Sequence, residues 1–164
     1  MKTLKILPVA LLAVSLFSCE PNDPTDPHEE ELITTLNVAL EAGGSTVTLN
    51  FQDVDGDGGD APIITVDQLA PNTTYAGSIT LFNESEDPAE ELTAEIFDEA
   101  EDHQFFFVST GASMFAYADQ DNDANPVGLS FELTTSDAGM ESYTITLRHE
   151  PATTATGVRR GDIT

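Results

Sequence analysis

Acids at alternate positions among glycines make Asp53-Val-Asp55-Gly-Asp57-Gly58-Gly59-Asp60 the stretch of this chain best suited to chemistry. Carboxylates on a flexible loop can converge on a hard cation, and Ca2+ takes about six to eight oxygens at roughly 2.3–2.6 Å. Asp53, Asp55, Asp57 and Asp60 are therefore candidate metal ligands, with Ca2+ the expected ion. Asp119, Asp121 and Asp123 repeat the pattern in Asp119-Gln-Asp121-Asn-Asp123-Ala-Asn125, either as a second site or as donors to the first. The same residue types also build polar turns, because Asp and Asn bond to their own backbone and Gly takes up positive φ.

The first loop matches the first, third, fifth and sixth positions of a helix–loop–helix calcium site, but its twelfth position is Ile64 where a bidentate Glu is needed. Any ion there needs a further acid from elsewhere in the fold. His103 and His149, the latter beside Glu150, suggest a shared zinc site without the spacing of a helix-borne zinc motif. They are what a metal-dependent enzyme would use, yet no nucleophile and base pair is recognisable, and no catalytic role is expected. No glycine-rich loop follows a strand and opens a helix, which argues against a nucleotide site.

The elements that must position these groups are mostly strands. Leu32, Thr34, Leu36, Val38 and Leu40 share one face; after Ala42-Gly43-Gly44-Ser45, residues Val47, Leu49 and Phe51 alternate with Thr46, Thr48 and Asn50, the pattern of a β-hairpin. Further strands are expected over 62–69, 73–83, 103–109, 112–118, 128–135 and 141–149. Phe105-Phe106-Phe107 suits a strand buried on both sides or pressed under a helix. One segment differs: Asp87-Pro88-Ala89-Glu90 is a helix start signal, followed by an apolar stripe of Leu92, Ile96 and Ala100. Glu99, Glu101 and Asp102 would crowd the negative end of that helix, a cost that is either tolerated or offset by His103, an arginine or a cation. About eight short strands and one short helix predict a mainly β fold, an immunoglobulin-like β-sandwich over residues 32–150.

Residues 1–18 read as a signal peptide: Lys2 and Lys5, an apolar run from Ile6 to Phe17, and a small residue before the cut. That run is short of the ~20 residues a spanning helix needs. Leu16-Phe17-Ser18-Cys19 looks like a lipobox and resembles those of bacterial lipoproteins, which makes Cys19, the single cysteine, the lipidated first residue of the mature chain. Residues 19–31, acidic and proline-rich, read as an extended tether, and 151–164 as a C-terminal tail, either a truncated final strand or a naturally short end. Beyond the cut, three arginines face 30 acids, a formal charge of −27. Such a surface repels nucleic acid and anionic headgroups, so the expected membrane contact is the N-terminal lipid itself.

Asp53-Val-Asp55-Gly-Asp57-Gly, Asn83-Glu84, Pro88-Ala-Glu-Glu91, His103-Gln-Phe-Phe106, Pro126-Val-Gly-Leu129, Leu147-Arg-His-Glu-Pro151 and Gly161-Asp-Ile-Thr164 together resemble a family of small, uncharacterised Bacteroidota lipoproteins. Some members carry the label type 1 periplasmic binding fold, which implies small-ligand binding between two α/β lobes. Members of the family continue into another strand after the last motif, and lack of that strand would leave a sheet edge open to a partner. The resemblance implies a cell-envelope protein, anchored in the outer membrane and facing periplasm or surface. The expected function is binding or structural support by an acidic sandwich, with a protein, glycan or small molecule as partner. A periplasmic small-ligand-binding protein is the alternative, which a deep pocket would favour.

Overall fold

The computed structural model describes residues 31–56, 59–85 and 87–149. Cys19, most of the tether, Asp57 and the tail 151–164 lie outside the described residues.

The chain forms a mainly β fold of two antiparallel sheets, a β-sandwich with one short helix. Strands β1 (Thr35–Ala42), β2 (Ser45–Gln52), β3 (Ile63–Val66), β4 (Thr74–Asn83), β5 (Glu90–Glu91), β6 (His103–Ser109), β7 (Met114–Tyr117), β8 (Ser130–Thr134) and β9 (Tyr143–His149) surround helix α1 (Thr93–Asp98). The larger sheet runs β3-β2-β1-β4-β8-β7, with β5 pairing β4 at one end, and the smaller is the pair β6-β9. The β1–β2 turn is the expected hairpin: Ala42 pairs Ser45, and Gly43 and Gly44 both take positive φ, 60° and 81°. Two consecutive left-handed residues give a turn whose twist matches that of the strands, and glycine adopts them without a Cβ penalty.

Pairing register puts one alternating apolar set of the larger sheet on a single face. Leu36 lies opposite Phe51 and Leu81, Val38 opposite Leu49 and Ile79, Val66 opposite Leu49, and Ile64 opposite Phe51. Tyr75 pairs Leu133 and Gly77 pairs Phe131, which continues the face across β4 and β8. The other face carries Thr, Asn, Ser and Glu, as in Asn37 opposite Asn50, joined by a 2.6 Å amide bond. The core collects on the apolar face, where Val38, Leu40, Ile79, Leu81, Phe131 and Leu133 are buried. The phenylalanine run serves it from β6. Phe105 is fully buried, and the Phe107 ring lies 4.6 Å from Phe131 and 5.0 Å from Phe115.

The helix is shorter than its start signal predicts. Glu90 and Glu91 pair with Asn83 and Phe82 as β5, so residues 87–91 lie outside the helix and Leu92 stands at the N-cap with no side-chain cap. Backbone pairing with β4 satisfies the groups a helical first turn would have left unpaired. The expected stripe survives: Leu92, Ile96 and Ala100 are all buried.

Candidate binding groove between the sheets

A sandwich of unequal sheets cannot cover its larger face. The β6-β9 pair lies over β8 and β7, where Phe107 meets Phe131 and Phe115, and Tyr143 meets Phe115 edge-on at 5.4 Å. Toward β2 and β3 the same apolar face runs out from under it. Residues of one face therefore span the full range of burial: Val38 is 1% exposed, Phe51 38%, Val66 63% and Ile64 65%. Exposed β-branched and aromatic residues that continue a buried face mark a site for a further apolar element.

The gap is a groove of about 870 Å3. Its floor is Leu36, Val38, Leu49 and Phe51, β3 adds Ile64 and Val66, and Tyr143 and Ile145 of β9 form the opposite wall. Among the described residues β9 pairs only with β6, so its second edge faces this space. An open edge offers backbone N–H and C=O groups to an incoming strand. Asp67, Asp137 and Glu141 line the rim and make its potential negative.

Glu141 holds the rim together. Its carboxylate accepts from the Ser109 hydroxyl at 3.0 Å, the Ala112 N–H at 3.1 Å, the Ser113 N–H at 3.4 Å and the Ser136 hydroxyl. Hydrogen bonds from Ser113 and Ser136, with further help from Ser109 and Ala112, outweigh desolvation and hold its pKa down at about 2. Nothing in its sequence neighbourhood singled out Glu141; the serines that surround it come from two separate segments, residues 109–113 and Ser136. A folded pKa below the unfolded value of about 4.3 gives stability that is present above that value and lost as pH falls through about 2. The urea midpoint of the wild type should exceed that of Glu141→Gln at pH 7, and the gap should close between about pH 5 and 2. A gap independent of pH would remove the charge from this explanation.

The acids singled out in the sequence sit elsewhere. Asp53 accepts the Gly56 N–H at 3.0 Å and Asp55 the Asp60 N–H at 2.8 Å, while Asp57 lies outside the described residues. Asp119 bonds the Gly128 and Ser130 N–H groups, both at 2.7 Å, and Asp121 those of Asp123 and Asn125 at 2.9 and 2.8 Å. These carboxylates organise their own loops, as turn-forming Asp residues do. Among the described residues, the metal-capable side chains whose ligand atoms gather within 4.8 Å are instead Glu31, Glu99 and His103. His103 and His149 do come together, with rings stacked at 4.9 Å.

Family models, curated proteins and solved structures give no match to this chain. Function therefore rests on the geometry. Every strand pairing among the described residues is antiparallel, and no described helix is long and apolar enough to cross a membrane.

Proposed function

We propose that this is a lipid-anchored, non-catalytic binding protein of the cell envelope, and that its ligand is an extended apolar segment of polypeptide laid in the groove. The observation that carries this is the continuous apolar face exposed at Phe51, Ile64 and Val66 beside the edge of β9 that no other described strand pairs. An added strand would gain main-chain hydrogen bonds from β9 and drop alternate side chains onto the floor, the general mode of β-strand addition. The acidic rim and a formal charge of −25 for the whole chain favour a segment with basic flanks. A small apolar ligand is the second reading, supported by a groove volume within the usual ~300–1,000 Å3 of ligand sites.

The test is fluorescence anisotropy of a labelled decapeptide that alternates Val and Thr between terminal arginines, titrated with the full chain. Saturable binding by this peptide, and none by a version with Asp at the valines, is expected. Equal binding of both peptides would mean charge attraction without groove recognition.

The anchor is tested separately. Cys19→Ala should move the protein from the membrane fraction to the soluble fraction with its melting temperature unchanged, because the acyl chains, each buried methylene contributing ~0.8 kcal/mol, are the anchor and the folded domain does not use them. Retention of Cys19→Ala in the membrane would defeat the lipoprotein reading.

A further inference from the structure

At the end of the second sheet remote from the groove, four chemically matched side chains meet from four separate segments. Glu31 precedes β1, Glu99 is the C-cap of α1, His103 opens β6 and His149 closes β9 directly opposite it in register. His103 is completely buried and the Glu31 side chain is 8% exposed. Burying an imidazole and a carboxylate together is costly unless they share a charge.

The tautomer of His103 follows from its neighbours. Nδ1 lies 3.1 Å from the Glu99 carbonyl oxygen, which can only accept, so Nδ1 carries a proton and donates it there. Nε2 then faces Glu31 Oε2 at 3.4 Å. A neutral ring would set a lone pair against a carboxylate at that contact, so a cation belongs between them: a proton on Nε2 or a metal ion. Backbone acceptance at one ring nitrogen with the other directed at the ion is the usual arrangement of a metal-bound histidine.

We propose that Glu31, Glu99 and His103 bind one divalent ion of the zinc class. Their ligand atoms all lie within 4.8 Å of one another, and bonds of about 2.0–2.2 Å in a tetrahedron need separations of about 3.3–3.6 Å, a contraction that carboxylate rotation supplies. One imidazole nitrogen with two carboxylates selects Zn2+ over Ca2+ or Mg2+, which prefer all-oxygen sites. His149, stacked on His103 at 18° between ring planes, holds the ring in place. The ion would pin the segment that leads into β1 to the helix and the second sheet, in a chain whose single cysteine rules out an internal disulfide. It would also counter the acids that end α1, where Glu99, Glu101 and Asp102 cluster.

The test is equilibrium dialysis of the EDTA-treated full chain against Zn2+ and, separately, Ca2+, with melting temperature recorded alongside. One tight Zn2+ equivalent, a rise in melting temperature and at least tenfold weaker binding by Glu31→Gln and Glu99→Gln are expected. His103→Gln is the more drastic variant; if it fails to fold, the two glutamate variants still decide. Zn2+ uptake that matches Ca2+ and is unchanged in Glu31→Gln would place the ions on the acidic surface and overturn the site. So would the absence of any tight Zn2+ equivalent, which leaves a proton shared between His103 and Glu31.

Discussion

Phe131→Ala should unfold this domain at a urea concentration far below that of the wild type, with a loss of about 3–5 kcal/mol. Phe131 is 1% exposed at the point where the two sheets touch, its ring 4.6 Å from Phe107 and 5.7 Å from Phe115. Its ring also closes on the backbone of β4: a Cβ at Gly77 would sit 2.5 Å from Cε2 and Cζ of the ring. Gly77 is thus the hole into which the largest buried residue of β8 fits, and Gly77→Ala should itself cost about 1–3 kcal/mol by forcing the ring aside. A domain of this size has about 5–15 kcal/mol in total, so the phenylalanine variant would stand near its limit. Neighbours in contact are not additive, and the double variant should lose less than the two single losses together. A midpoint for Phe131→Ala close to the wild type would show that the contact between sheets is not where stability resides.

Much of this arrangement could be read from residue order. Period-two alternation located the strands because burying one face of a sheet demands it, and Gly43-Gly44 marked the hairpin because few other pairs accept two positive φ values. Helix α1 shows the limit. The start signal at Asp87-Pro88 is local, whereas the pairing of Glu90 and Glu91 with β4 is a contact from a distant strand, and the contact prevailed. Which strand neighbours which is likewise non-local: β1 lies between β2 and β4, and β8 lies beside β4 across some fifty residues of intervening chain, with register Tyr75 to Leu133.

The sites divide in the same way. Alternating aspartates suit a cation or a turn; Asp53, Asp55 and Asp121 bond N–H groups no more than five residues away, while Asp119 reaches Gly128 and Ser130, a contact that spacing alone does not show. His103 and His149 were legible as a pair only as far as each stood at a strand end; their stacking depends on the β6-β9 register. Glu141 and the groove had no sequence signal. A carboxylate that gathers serines from two separate segments, and a face that the other described strands leave exposed because one sheet is wider than the other, exist only after the strands have been assigned partners.

Ile64→Asp combined with Val66→Asp should abolish peptide binding while leaving the fold intact. Both side chains are more than half exposed on the edge strand, so their replacement removes little buried surface and the urea midpoint should move by less than about 1 kcal/mol. In the groove they become two carboxylates opposite Phe51 and Leu49, next to an already acidic rim, and an apolar strand would have to desolvate them. At least a hundredfold weaker binding in the anisotropy titration is expected. Unchanged affinity in a folded double variant would move the ligand off this face.

Amide hydrogen exchange across β9 tests the groove most directly. Addition of the Val/Thr decapeptide to the full chain should slow exchange at alternate residues of Tyr143–His149, those whose N–H groups point away from β6. Protection confined to another surface, or no change along β9 at saturating peptide, would contradict strand addition. Protection of β9 before any peptide is added, together with protection between residues 151 and 164, would show the chain's own tail in the place assigned to a partner.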